Sequence, residues 1–316
     1  MPLVGVIAAN LWGKPSLALP FATSGNSPVI GGLSGVGKGW STNNKIYYFI
    51  GRGGSTYGDT AQNTNVYSRT TSATTWTSEG SLGGNYGQWK FNLFPVGSSN
   101  KWILGTGEYG GGQTYVDSYT GSGAWTSETA YPVSTAYQGS GTIGTTGYVF
   151  AGYNNSTNIS SAYSYTGSGS WIAQTNYPYT CGFWAYSTEL RSTNRVYGLG
   201  GRPAGTSTNA TLVYSYSGSG SWQAETNLPA RSDTGSAMTA SSPNAIYILD
   251  GNSGTGLGST IYSYTGSGAW KVEGTHNMSL GGQSAPIVAY AANNLFVFGN
   301  TYNGSTTNVY KVTVNY

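Results

Sequence analysis

YTGSGAW, at Tyr119–Trp125, decides how this chain is read, because it returns almost unchanged three times: YTGSGSW at Tyr165–Trp171, YSGSGSW at Tyr216–Trp222 and YTGSGAW at Tyr264–Trp270. A looser copy, RTTSATTW, ends at Trp76. The five tryptophans stand 49, 46, 51 and 48 residues apart. A period of that length belongs to repeated small units that bury their apolar faces against one another. Each copy is composed as a hairpin, with a strand ending in Tyr, a Gly/Ser turn, and a strand opened by Trp.

Upstream of each copy lies a short apolar strand: Ile46–Ile50, Trp102–Thr106, Tyr148–Ala151, Val196–Leu199, Ile246–Leu249 and Leu295–Phe298. Polar turns such as Asn43-Asn44 precede these strands and glycines such as Gly51, Gly107 and Gly152 end them. With a further strand before each turn, the unit is four antiparallel strands. Six second strands are present, but only five internal Trp-led fourth strands follow them, and the chain ends in a third strand, 308–316. WGKPSLALP at Trp12–Pro20 resembles WTSETAYP at Trp125–Pro132 and WQAETNLP at Trp222–Pro229. Residues 1–20 are therefore expected to supply the missing fourth strand, and 21–40 a long loop leading into the first unit. The expectation is one all-β domain over 1–316, a ring of six four-stranded units closed by the N-terminal strand.

Composition agrees with an all-β chain and narrows its partners. The 316 residues include 50 Gly and 27 Tyr, are 14% aromatic, and are only 7% charged, against about a quarter in ordinary globular domains. The aromatic content is enough to bury a core. A net charge of +3 spread along the chain makes no basic patch, so nucleic acid is not expected as a partner. No run approaches the ~20 apolar residues of a membrane-spanning helix. The apolar segment Leu3–Ala9 has no preceding Lys or Arg and does not read as a signal peptide. The single cysteine, Cys181, leaves no internal disulfide and reads as a small buried or loop thiol.

The repeats resemble the kelch type of β-propeller, within the galactose-oxidase-like propellers. The nearest stretch is LPARSDTGSAMTASSPNAIYILDGNSG at Leu228–Gly254, and the Gly53-Gly54 and Gly200-Gly201 doublets and the Tyr-to-Trp spacing fit as well. True glycine doublets occur in only some units. The resemblance implies a six-bladed propeller of four-stranded antiparallel blades. The turn also has the length of a sialidase Asp-box over Ser118–Trp125, but Thr120 stands where that motif has Asp. The repeated tryptophans read as packing between blades. Glu79, Glu128, Glu225 and Glu273, each three residues past its Trp with Gln174 in the remaining copy, read as scaffold, since a single site uses residues that are not repeated.

In such meanders the first-to-second and third-to-fourth turns share one face, and here they are short and uniform. The other face carries the variable loops, where recognition concentrates. It is also rich in rings and guanidinium groups. Tyr57, Tyr109, Tyr153 and Trp184, with Arg52 and Arg202, are the expected ligand-binding residues, and Tyr179 and Phe183 border the same loops. Aromatic faces among Asn, Ser and Thr suit sugar rings or a protein surface.

No catalytic residue, cofactor or metal is expected. The copper site of galactose-oxidase-like propellers takes two histidines and a cysteine-linked tyrosine, whereas this chain has one histidine, His276. Arg52, Arg202 and Arg231 have no nucleophile motif beside them for sialidase chemistry. Asp59, Glu108, Asp233 and Asp250 are the carboxylates a polysaccharide hydrolase would draw on, since glycosidases need a pair. The expected function is non-enzymatic: a phage virion surface protein, decorating head, tail or fibre, that contacts other virion proteins or a host surface glycan or protein. Homo-oligomeric or high-copy assembly fits that setting. The alternative is a stand-alone extracellular carbohydrate-binding propeller. The expected localisation is the virion or the extracellular space.

Overall fold

The structure is a computed structural model that describes residues 15–26, 44–49, 65–81, 92–97, 101–105, 114–121, 123–154, 156–183, 186–206, 210–229, 238–241, 244–249, 259–276, 287–298 and 308–315. Its described residues form antiparallel meanders in chain order. Sheet A holds Lys45–Phe49, Asn65–Thr70 and Thr77–Ser81. Sheet B holds Asn92–Val96, Lys101–Gly105, Val116–Tyr119 and Thr126–Ser127. Sheet C holds Gly139–Ile143, Thr146–Tyr153, Asn158–Tyr165 and Ile172–Gln174. Sheet D holds Tyr186–Leu190, Arg195–Leu199, Val213–Tyr216 and Gln223–Ala224. Sheet E holds Met238–Ser241, Ile246–Leu249, Thr260–Tyr264 and Lys271–Thr275.

Sheet F is built from both ends of the chain. Ile287–Ala291, Asn294–Phe298 and Asn308–Asn315 run in order, and the outer edge of the last strand is taken by Ser16–Leu17 and Ala22–Asn26. Ser16 pairs with Asn315, Leu17 with Val314, Ala22 with Lys311 and Asn26 with Asn308. The N-terminal segment therefore runs antiparallel along that strand, interrupted between its two halves. One expectation changes here. The pairing continues past residue 20 to Asn26, so the start of the supposed 21–40 loop is strand. Trp12, the anchor of the sequence match, lies outside the described residues.

The blade count also changes. Among the described residues five sheets, B to F, hold four strands or more, and sheet A holds three. The expectation of six complete four-stranded blades is thus corrected to five.

The core is not central but divided among the seams. Phe94, Val96, Val149 and Tyr165 pack between sheets B and C. Phe150, Val196 and Trp222 pack between C and D. Leu190, Tyr197, Ile246 and Tyr264 fill the D–E seam, and Leu249, Val297, Val312 and Phe21 the E–F seam. Ile46, Phe296 and Phe298, with Trp76 against them, join F to A. Small sheets that each bury both faces against their chain neighbours are the blades of a β-propeller. At about 1.5–3 kcal/mol for each fully buried large apolar side chain, these seams carry most of the favourable burial.

Candidate functional site

The repeated polar residues are absorbed by the seams. Tyr119 Oη donates to Glu79 across the A–B seam at 2.6 Å, Tyr165 to Glu128 across B–C at 2.7 Å, and Tyr264 to Glu225 across D–E at 2.8 Å. Tyr216 makes the same bond to Gln174 at 3.1 Å. A serine of each acid's own sheet donates to it too: Ser68 to Glu79, Ser118 to Glu128 and Ser215 to Glu225. Burial pushes the Glu128 carboxyl up, but hydrogen bonds from Lys101, Ser118 and Tyr165 outweigh it and hold the group below the usual carboxylate range. Glu79 is held low in the same way by Ser68, Tyr119 and Lys45. Burial, then the Glu128 carboxylate, push the Tyr165 phenol up to about 12. These carboxylates are hydrogen-bonded at fixed structural positions, which makes them poor proton donors or nucleophiles.

Among the described residues, a feature that does not repeat is a two-stranded ribbon. Cys181–Phe183, from the connection between sheets C and D, pairs antiparallel with Arg202–Pro203, which follows the second strand of sheet D. The ribbon packs against Thr146–Tyr153 and Asn158–Tyr165 of sheet C, so it straddles the C–D seam on the variable face. Its base is rigid for identifiable reasons. The Tyr177 ring stacks on Phe150 at 5.2 Å and meets Trp222 edge-on at 4.8 Å. The Tyr179 hydroxyl donates to the carbonyl of Gly200, and its ring lies 5.0 Å from that of Tyr177. The Cys181 side chain is fully buried beside them. Burial pushes both phenols far above their usual range, with Cys181 adding to it.

Of the sequence-predicted site residues, Arg202 lies in this ribbon and Tyr153 ends a strand of sheet C against which the ribbon packs. Arg202 is the cross-strand partner of Phe183, and its Nε donates to the Thr206 carbonyl at 2.7 Å. Both Arg202 and Tyr153 are half-buried. Tyr153 was expected in a loop but is the last residue of its strand, paired with Asn158 and bridged to Ala136 by two backbone hydrogen bonds of 2.8 and 2.9 Å. Gly152 allows that bridge, since a Cβ there would lie 2.6 Å from Thr135 Oγ1 at a φ of 118°. Beyond Tyr153, the Asn154 side chain accepts from the Thr157 amide and hydroxyl, each at 3.0 Å, and fixes the turn. Arg52, Tyr57, Tyr109 and Trp184 lie outside the described residues, as do Asp59, Glu108, Asp233 and Asp250.

Reading by loops placed Tyr179 and Phe183 at this connection but missed the ribbon itself and the packing of Tyr177 and Tyr179 beneath it. The signal available was the short aromatic run Tyr177–Phe183, in which Cys181 and Gly182 break the pattern of the other connections. Among the described residues no group of three His, Cys, Asp or Glu side chains is placed to hold a metal ion. Among them, too, no helix is long and apolar enough to cross a membrane.

No protein-family model matches the chain, and no curated protein matches it. Among solved structures it is similar to one described as "Structure of YjhT", with a TM-score of 0.65 at 15% identity over 92% of this chain and 99% of that chain. At that identity the likeness shows the fold alone, and the fold is a β-propeller.

Proposed function

We propose that the chain is a non-enzymatic recognition propeller of the kelch type, its ring closed by the N-terminal strand, that serves as a phage virion surface protein. In this reading it contacts a host glycan or protein, or a neighbouring virion subunit, through its variable face. What supports the reading is the contrast between the repeats and the ribbon: the repeated carboxylates are tied into seams, while among the described residues the irregular ribbon carries Arg202 above an aromatic base and packs against the strand that ends at Tyr153. A tyrosine ring is suited to stacking on a sugar, a guanidinium to hydrogen-bonding its hydroxyls, and both equally to anchoring a protein surface. The low charge and the Gly, Ser, Thr and Tyr content favour a virion setting.

Tyr153→Ala and Arg202→Ala are expected to weaken adsorption to host cells and binding on a glycan array by about tenfold or more, the loss of one interface anchor. Ser219→Ala, in a uniform turn on the opposite face, is expected to leave both unchanged. Purified particles should carry the protein in many copies. Glycan binding by a protein missing from particles would favour the extracellular carbohydrate-binding alternative, and release of new reducing ends from host polysaccharide would sink the non-enzymatic reading.

A further inference from the structure

The residue six positions after each repeat tryptophan has one backbone role in four seams. Tyr131 N–H donates to the Thr114 carbonyl at 2.8 Å, Tyr177 to Ser160 at 2.7 Å, Leu228 to Thr211 at 2.7 Å and His276 to Ser259 at 2.8 Å. The first three side chains plug the seam between their own sheet and the next, since Tyr131, Tyr177 and Leu228 all belong to the buried clusters there. By the same register His276 is the plug of the E–F seam. Its side chain is buried, and neither Nδ1 nor Nε2 has a hydrogen-bond partner among the described residues. This is also the seam that receives the N-terminal segment. Phe21 lies in its core with Leu17 and Leu19 packed against it, and a Cβ on Gly274, two residues before His276, would lie 2.5 Å from Leu19 Cδ1.

We infer that His276 is a protonation switch in the E–F seam, neutral and seated as a plug near neutral pH, and destabilising to the seam and its N-terminal segment once protonated. An imidazolium without a partner or counter-ion is costly to bury, whereas the neutral ring is tolerated. Among the described residues the surrounding charges do not offset it. On its own strand Lys271 and Glu273 pair with each other at 3.1 Å. The adjacent strand carries Tyr262 and Tyr264, and Tyr264 is committed to Glu225. Across the seam Tyr290 and Tyr310 pack against its core, while Lys311 alternates with them and falls on the other side of its strand, with Val309; residues 15–26 contain no charged side chain. Asp250 lies outside the described residues. Burial alone lowers the pKa of the ring. A base whose folded pKa is lowered gives full stability above its unfolded pKa of about 6.5 and loses it as pH falls toward the folded value, by at most about tenfold in the unfolding equilibrium per pH unit.

Because the chain has one histidine, a proton NMR titration of the full chain follows a single imidazole, and the expected pKa lies below about 6.5. Between about pH 7.5 and about pH 5, above the range where carboxylates protonate, the melting temperature of the native chain is expected to fall. That of His276→Leu, which copies Leu228, is expected to stay flat, as is that of His276→Tyr, a second plug that copies Tyr177. Hydrogen exchange, corrected for its intrinsic pH dependence, should quicken selectively in residues 15–26 of the native chain at the lower pH. A pKa at or above about 6.5, parallel melting profiles for native and substituted chains, or quickening spread evenly over all sheets would each overturn the switch.

Discussion

Lys45, Lys101, Thr146 and Arg195 occupy the same register position in four consecutive sheets, one residue before the cross-strand partner of the repeat tyrosine (Arg69 in sheet A), and its identity goes with that of the side chain three residues past the tryptophan. Lys45 pairs with Glu79 at 3.6 Å, Lys101 with Glu128, and Arg195 with Glu225 at 3.8 Å. Sheet C has Thr146 instead of a cation, and its outer strand has Gln174 instead of glutamate. In sheet E the equivalent position by register is Ala245, and Lys271 supplies the charge to Glu273 from the outer strand itself. The acids are thus retained where a cation accompanies them, as the cost of leaving a half-buried carboxylate unpaired requires. Lys101→Thr is expected to cost roughly 1–3 kcal/mol, and Glu128→Gln added to it should recover much of that loss, a coupling of about 0.5–3 kcal/mol by double-mutant cycle in urea. The pH dependence has a defined sign. Glu79 and Glu128 are held below their unfolded values, so their contribution is present above about pH 4.5 and is lost as pH falls through the folded values. The doubly substituted chain, having exchanged one of these acids for an amide, should lose less stability on acidification than the native chain. Equal acid sensitivity of the two would remove the case for pairing.

At the scale of the element, the YTGSGxW hairpin is a clasp rather than a simple reversal. In Trp171, Trp222 and Trp270 the indole N–H donates to the carbonyl of Thr129, Thr175 and Thr226 in the preceding sheet, at 2.9, 2.9 and 3.0 Å. The same threonine hydroxyls donate back to the turn carbonyls of Gly169, Gly220 and Gly268 at 2.7, 2.7 and 2.6 Å. Each Trp also stacks on the Tyr that opens its own copy, as Tyr165 and Trp171 do at 4.7 Å. In sheet A the Tyr position is Arg69, whose guanidinium lies 5.0 Å from the Trp76 ring centroid, so a cation–π contact replaces the stack. The two glycines of a turn differ in their surroundings. A Cβ at Gly218 would lie 2.7 Å from Tyr148 Oη at a φ of 91°, whereas Gly220, at 72°, faces open space. Gly220→Ala should therefore cost about 1–2 kcal/mol for backbone conformation alone, and Gly218→Ala a further 1–3 kcal/mol or so for overpacking; equal losses in thermal unfolding would contradict the clasp. The hairpin was legible because its strands, turn and Trp are contiguous, and the packing role of the repeated glutamates followed from their repetition. The partners of Glu79, Glu128 and Glu225 were not legible, since they lie on other strands and in other sheets. Nor was the ribbon, because Cys181–Phe183 and Arg202–Pro203 are too short to show an alternation of their own and pair only once sheet D has brought them together.

For the molecule as a whole, the N-terminal segment does the work of an outer strand without coming from the repeat that precedes it. It covers the edge of Asn308–Asn315, places Phe21 in the E–F core, and reaches sheet A through side chains. Arg69 Nη1 donates to the Ser24 carbonyl at 2.7 Å, and Trp76 Nε1 to the Asn26 carbonyl at 2.7 Å, the latter reproducing the Trp-to-carbonyl bond of the other seams. The sequence match of Trp12–Pro20 to the other Trp-led strands stops short of the part that carries Phe21 and the contacts to Arg69 and Trp76. Removing residues 1–26 would leave a bare strand edge, an unfilled core position and a buried guanidinium that loses both its acceptors on Ser24 and keeps only the Ala73 carbonyl. Phe21→Ala alone should cost about 3–5 kcal/mol, and the deletion should exceed it, with urea unfolding midpoints ordering native chain, Phe21→Ala and deletion from highest to lowest. A peptide of residues 1–26 added to the shortened chain should raise its melting temperature in proportion to the logarithm of peptide concentration, as binding to the folded form alone requires. A shortened chain as stable as the native one, or indifferent to the peptide, would show that sheets A and F hold together without the segment.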